Sequence, residues 1–351
     1  MSTKRVTILS FLLALLAPLA ASAHEVYVLS PEQITYALGI APFNMVQVAL
    51  DNLHQFIFWG FIVFVVISTV FCISIFRRVE QFIDPIFNHG KRYAHTICRI
   101  TVGLGLLAGA YYQATYGPEL PLAAVYGVLT PLITAVIVTI GILMLLGIWV
   151  RPAAFAALCL FGVAVYFRGA YMLTYTNYFG EFLVLLLLGA HHARTPSSRA
   201  SKVTLAWHRI GRAVSPYSFA IIRICFGMSL LYAALYAKIL HNNLALMVAS
   251  LPLAGHQYAV AYYLGFEPHF LVLGAALVEL IISAFFIFGI EIRWTSLFLE
   301  FWLSLSLVFF GESVWPHLIL IGIPIALFLH GYDRWSLEGR FFKSGRLEPV
   351  L

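Results

Sequence analysis

Charged residues are scarce in this chain. Only 10% of its 351 residues are Asp, Glu, Lys or Arg, whereas 62% are hydrophobic. A soluble domain carries about 25% charged residues because water must solvate its surface. The deficit excludes an ordinary soluble protein and indicates that lipid faces most of the surface.

Signatures of common enzyme classes are also missing. The chain contains no GxxxxGK[ST], GxSxG or HExxH motif, which argues against P-loop nucleotide hydrolysis, serine hydrolysis and zinc proteolysis. Its four cysteines form no CxxC pair and lie in or beside apolar runs, where cysteine usually packs as a small residue. A dithiol relay or cysteine metal site is therefore disfavoured.

The N-terminus has the pattern of a secretory signal. Lys4 and Arg5 precede the apolar run 6–16, and Ala21-Ser22-Ala23 resembles a cleavage site. The alternative, an uncleaved anchor helix, is less favoured because the run is short for a membrane span. We expect cleavage after residue 23, which leaves His24 as the first residue of an exported N-terminus.

Apolar segments then follow one another along the rest of the chain, and we predict nine membrane spans. They are 53–76, 98–116, 126–148, 153–173, 177–192, 218–239, 269–290, 293–310 and 316–331. Alternation of these spans places nearly all Lys and Arg residues after the signal at cytoplasmic ends; only Arg168 and Lys238 fall toward the outer side. The basic charge therefore indicates topology and needs no nucleic-acid partner. We predict a bacterial inner-membrane protein with its mature N-terminus outside and its C-terminus in the cytoplasm.

Two parts of the chain share a plan. Arg99–Gly103 and Arg223–Gly227 each open a span, and Gly147–Arg151 and Gly289–Arg293 each join two later spans. With four spans in each half, this order predicts a parallel duplication. The expected fold is an all-α membrane protein with one N-terminal transmembrane helix and two parallel four-helix bundles. The predicted divisions are 1–23 (signal), 24–52 (exported segment), 53–97 (first helix and loop), 98–192 (first unit), 193–217 (basic linker), 218–331 (second unit) and 332–351 (tail).

The second unit resembles the DoxX/DoxD-like membrane family. The resemblance rests on Arg223–Gly227, on Tyr232–Leu240 and on Ala276–Trp294; it covers 218–331 best and 98–192 more weakly. It implies a four-helix bundle in each half. Some relatives are subunits of thiosulfate:quinone oxidoreductase, so the resemblance also implies a quinone-linked redox subunit that works with an extracytoplasmic partner.

Ionisable residues inside spans are candidate sites, because burying them without a partner is costly. Glu279 and Glu300 lie near the middle of consecutive spans, so their carboxylates are expected at similar depth if the helices pack antiparallel. Lys238 is expected either to reach the interface alone or to pair with Glu279 or Glu267. These three, Glu279, Glu300 and Lys238, are the catalytic candidates, with interhelical hydrogen bonding as the structural alternative.

Further polar pairs are expected at the outer ends of the bundles. Arg168 and Glu181 flank a Tyr-rich turn in the first half, and Glu312 and His317 take a similar place in the second. They are candidates for holding a cofactor, or for salt bridges that close the bundle. The simplest interpretation of Arg99 and Arg223 is that they anchor the topology at the cytoplasmic face.

Histidines on the outer side raise the question of a metal. After cleavage, the amino group and imidazole of His24 would together chelate copper, with His54 and His269 as further ligands, although no HxH or HxxxH spacing supports this. Three hypotheses follow. They are a quinone-linked redox subunit, a transporter or copper-handling protein without enzymatic activity, and a structural or assembly subunit.

Overall fold

The computed structural model describes residues 29–87, 89–189, 202–252, 257–259, 261–262, 265–310 and 314–342. The predicted signal peptide, His24, Glu312 and residues 343–351 of the C-terminal tail lie outside these residues. Within the described residues the chain is helical and contains no β-strand beyond two isolated bridges. The expected all-α class is therefore confirmed.

The helices are numbered here in chain order. They are α1 (Pro31–Gly39), α2 (Met45–Asp51), α3 (Phe56–Phe87), α4 (Lys91–Tyr111), α5 (Leu122–Tyr126), α6 (Thr130–Leu146), α7 (Val150–Arg168), α8 (Thr176–Leu188), α9 (Lys202–Val214), α10 (Ser218–Leu235), α11 (Asn243–Ser250), α12 (Pro268–Phe288), α13 (Ile292–Phe310) and α14 (Val314–His330). A π-helical turn, Tyr236–Leu240, continues α10.

Five helical stretches are long and apolar enough to cross a membrane. They are Phe56–Ile75, Leu122–Leu146, Val150–Leu188, Leu205–Leu240 and Pro268–Phe288, and a shorter apolar helix covers Trp315–His330. This fits the expected multi-pass membrane protein. Each of the nine predicted apolar segments lies on a helix. That all nine cross the membrane stays a prediction.

The same packing order occurs in two groups of four helices. In the first, α4 packs on α6, α6 on α7, α7 on α8, and α8 returns to α4; in the second, α10, α12, α13 and α14 make the corresponding contacts. The groups meet where α4 packs on α14 and where α8 packs on α10. We call them the first and second units.

Two arginines in the first unit bind the carbonyl groups at helix ends. Arg99 donates to the carbonyls of Met144 and Leu145, where α6 ends at Gly147 in the left-handed conformation. Arg151 donates to the last carbonyls of α8, where the chain turns at Gly189 with φ of +78°. A helix end leaves such carbonyls without intrahelical partners, and in a bilayer water cannot replace them.

The second unit repeats this arrangement. Arg223 donates to the carbonyls of Phe286 and Ile287, next to Gly289 with φ of +69°. Arg293 donates to the carbonyl of Phe328 near the end of α14, beside Gly331 with φ of +79°. We call the end of the bundles that carries Arg99, Arg151, Arg223 and Arg293 the arginine end.

The second unit adds a buried ion pair there. Arg223 is fully buried and forms two parallel hydrogen bonds with Asp333, from Nε to Oδ2 at 2.6 Å and from Nη2 to Oδ1 at 3.2 Å. Asp333 also accepts from the backbone N–H of Trp335, which fixes the chain after α14 beneath α12. A bidentate pair of this kind fixes both the distance between the two side chains and their relative orientation.

These contacts give Arg99 and Arg223 a structural role that topology anchoring does not include. Both side chains are buried, at 8% and 0% exposure, and Nη1 of each donates to helix carbonyls. An anchoring arginine would keep its guanidinium in water or among headgroups. A second boundary also differs, since α3 runs on past Arg77 and Arg78 to Phe87.

Gly147 and Gly289 offer a matched test of the helix ends. A Cβ on Gly147 meets the flexible Arg99 guanidinium at 3.0 Å, whereas one on Gly289 would lie 2.6 Å from the backbone Cα of Ser336. Both substitutions to Ala impose left-handed strain of roughly 1–2 kcal/mol. We expect Gly289→Ala to lower the melting temperature in detergent clearly more than Gly147→Ala; equal shifts would contradict this account.

Candidate functional site

The second unit holds an ion pair between the middle of α12 and the turn that ends α10. The Lys238 Nζ lies 2.9 Å from Oε2 of Glu279, so the predicted pairing with Glu279 rather than Glu267 is formed. The Lys238 side chain is 6% exposed and that of Glu279 is 19% exposed. The pair joins two of the helical stretches that are apolar enough to cross a membrane.

Glu279 reaches its position because α12 is long and unbroken. It follows Pro268 by eleven residues and precedes Phe288 by nine, which places it about 16 Å and 13 Å from the two ends at 1.5 Å per residue. Its helix turn is reinforced by Ser283, whose hydroxyl donates to the Glu279 carbonyl at 2.7 Å. The carboxylate is therefore presented from a regular helix in mid-span.

Lys238 is presented differently. It lies in the π-helical turn Tyr236–Leu240, where α10 widens before the chain turns into α11. An inserted residue of this kind shifts a side chain relative to a regular helix, and such turns are frequent at functional sites. The turn brings the ammonium group of Lys238 to the middle of α12.

The N-terminal segment packs beside this turn. Asn242 is fully buried, and its amide both accepts from the backbone N–H of Phe43 at 3.0 Å and donates to the carbonyl of Phe43 at 2.7 Å. The Asn243 amide donates to the carbonyls of Ile40 and Ala41. These bonds fix α11, directly after the π-helical turn, to the segment between α1 and α2.

The other two acidic candidates are placed apart from this pair. Glu279 has Lys238 as its ion-pair partner, and Glu300 on α13 has a buried Oε1 that accepts no hydrogen bond. Glu181 is fully buried in the first unit and neither of its oxygens accepts a hydrogen bond. The expected Arg168–Glu181 salt bridge is therefore wrong: Arg168 ends α7 at the rim, while Glu181 points into the core.

The metal and cofactor candidates are scattered. His54 is exposed, and His317 is fully buried at the start of α14. Among the described residues, no group of three or more His, Cys, Asp or Glu side chains is placed to hold a metal ion. His24 and Glu312 fall outside the described residues.

His269, one of the predicted metal ligands, contacts the side chain that caps α12. Its Nδ1 hydrogen-bonds Oε1 of Glu267, and Oε2 of Glu267 accepts from the backbone N–H of Phe270 at 3.2 Å, which caps α12. Burial alone would raise the pKa of Glu267, but the hydrogen bonds from His269 and Phe270 hold the pKa below its ordinary value. A carboxylate at a helix N-terminus is favoured in its charged form.

One polar cluster was not predicted. Glu119, in the loop after α4, accepts hydrogen bonds from the hydroxyls of Tyr175 and of Tyr171, the latter at 3.2 Å. Glu119 lies in a polar loop and the tyrosines fit an interfacial belt, so each has an ordinary explanation in the sequence. Only the folded turn Gly169–Tyr175 brings them together.

No protein family, curated protein or solved structure matches this chain. The resemblance to DoxX/DoxD-like proteins therefore stays a prediction.

The Lys238–Glu279 pair predicts a non-additive effect on stability. Lys238→Met alone leaves a carboxylate in mid-span without its partner, and we expect a loss of up to about 3 kcal/mol. The double variant Lys238→Met/Glu279→Gln should recover most of this loss, because neither charge remains. Thermal unfolding in detergent measures both. An additive double variant would show that the two residues do not interact.

Glu267 predicts a pH-dependent stability. Because its folded-state pKa is below the unfolded value, its contribution is present above the unfolded pKa and is lost as the pH falls through the folded one. We expect wild type to melt above Glu267→Gln at neutral pH and the difference to vanish in acid. A difference that stays constant with pH would exclude the charged cap.

Proposed function

We propose that this chain is a quinone-linked subunit of a membrane redox system, and that Lys238 and Glu279 bind the polar head of the quinone. The observation that supports it is a lysine–carboxylate pair inside the bundle, with the carboxylate one-fifth exposed. Intramembrane ionisable pairs mark ion, proton and ligand pathways more often than mere packing.

The two side chains fit the polar needs of a quinone head. A lysine ammonium has three donors, so it can bind a ring oxygen while it keeps Glu279. Glu279 can accept a hydrogen bond or take up the proton that a quinol gives up. The apolar length of α12 suits the ring and its isoprenoid tail. A bound quinone would supply the two-electron chemistry for which the chain has no motif of its own.

Comparison of the units argues against a purely structural role for the pair. Glu279 lies ten residues before Gly289, and the residue ten before Gly147 is Ile137. Ile137 is buried at 1% exposure. The first unit therefore packs with an apolar residue at the position that matches Glu279.

The remaining parts of the proposal concern topology. The repeated packing order and the repeated arginine–glycine helix ends support a parallel duplication. The positive-inside tendency supports a cytoplasmic arginine end, in a bacterial inner membrane, with an exported N-terminus after signal cleavage. An extracytoplasmic redox protein would then supply electrons to the quinone from the opposite end.

Quinone content of the purified protein tests the proposal. The full chain is purified in detergent, and quinone is extracted and quantified beside metal and haem. We expect quinone with wild type and a fall of about ten-fold or more for Lys238→Met/Glu279→Gln, in which the head loses both polar partners.

Glu300→Gln is the matched control, because it removes a buried acid from the neighbouring helix and leaves the ion pair intact. It should keep its quinone. Absence of quinone from wild type, or equal retention by the double variant, would leave the pair as a packing contact. Stoichiometric copper in place of quinone would favour the metal-handling hypothesis.

A further inference from the structure

The first unit contains a buried acid that the quinone proposal does not use. Glu181 is fully buried on α8, five residues after Thr176 and seven before Leu188, or about 7.5 Å and 10 Å from the helix ends. Neither carboxyl oxygen accepts a hydrogen bond from an N–H or O–H group. The neighbouring polar group is the thiol of Cys98, a weak donor.

Packing alone does not explain an acid at this position. Glu181 lies eight residues before Gly189, and the residue eight before Gly331 is Ile323, which is also fully buried. The second unit therefore fills the matching place with an apolar side chain. A bare carboxylate in such a core costs several kcal/mol, and this cost favours the neutral acid.

A tyrosine hydroxyl lies next along α8. Tyr178 is one turn before Glu181 and 1% exposed, and its hydroxyl lies 3.4 Å from the position of a Cβ on Gly105. This hydroxyl makes no hydrogen bond, and because residues three apart on a helix are neighbours, Tyr178 and Glu181 lie on the same side of α8. A phenol can both donate and accept, so it is suited to stand between two carboxyls.

Next to Tyr178 lies the cluster formed by Glu119, Tyr171 and Tyr175. The ring of Tyr178 is 6.1 Å from that of Tyr175 and 4.8 Å from that of Tyr116, centroid to centroid. The Tyr175 hydroxyl donates to Glu119, which is half-buried in the loop at the end opposite to the arginine end. The rings of Tyr116, Tyr175 and Tyr178 therefore form one packed group next to Glu119.

We propose that Glu181 is a proton-binding site, and that Tyr178, Tyr175 and Glu119 connect it to the solvent at the end opposite to the arginine end. In the transfer, Glu181 gives its proton to the hydroxyl chain, each hydroxyl passes one on, and the Glu119 carboxylate receives one. One proton moves and no electron does. The other titratable side chains near the route are Cys98, Tyr116, Tyr126 and Tyr171, with Cys225 of α10 against Gly180.

Infrared spectroscopy tests this in the purified full chain without any quinone. A protonated Glu181 gives a carboxylic-acid C=O band that shifts in D₂O, and the rate of this shift measures proton access. Glu181→Gln should remove the band. Tyr178→Phe and Glu119→Gln should keep it and slow its shift by at least about ten-fold, since each removes a proton-transfer group.

Tyr126→Phe is the matched control, because it removes another buried, unpartnered hydroxyl that is not on the route. The Glu181 band of this variant should shift in D₂O at the wild-type rate. A spectrum unchanged by Glu181→Gln would overturn the site, and a shift rate unaffected by Tyr178→Phe would overturn the route. Neither outcome depends on whether Lys238 and Glu279 bind quinone.

Discussion

Carbonyl groups at the end of a helix must find donors, and in a bilayer water does not supply them. Four arginines meet this requirement here, each beside a glycine with positive φ. Because each guanidinium starts on one helix and binds the end of another, it fixes both the register and the spacing of the pair. The packing of both units depends on these contacts.

On this common frame the two units differ in their polar residues. The second has Glu279 and the first has Ile137 ten residues before the glycine at a helix end, and the first has Glu181 and the second has Ile323 eight residues before such a glycine. In each comparison one unit packs without the charge. The arginine–glycine contacts thus recur in both units, whereas the buried ionisable groups differ between them.

The sequence predicted much of this architecture because hydrophobicity and lipid thickness determine where spanning helices form. The shared Arg and Gly positions were visible as well, and so was the option of a Lys238–Glu279 pair. The direction in which each side chain points was not visible in the sequence. In the sequence, Arg99 and Arg223 look like interfacial residues, because the helix ends that they bind are distant in the chain. Glu181 looks like a partner of Arg168, because it closely follows the turn after α7.

The Glu119 cluster shows the same limit. Its carboxylate and the two tyrosines are about fifty residues apart in the chain, and the hydrogen bonds between them arise only when the loop after α4 meets the turn before α8. Periodicity reports which face of a helix is apolar. It carries no information on which loop folds over which.

Photolabelling with an azido-quinone tests the central claim, that the second unit binds a quinone head at its intramembrane ion pair. The labelled full chain is digested, and the modified peptides are located by mass spectrometry. The account predicts label within Tyr236–Leu240 or Pro268–Phe288, and its loss when Lys238 and Glu279 are both replaced. Label confined to the first unit, or label that survives the replacement, would contradict it.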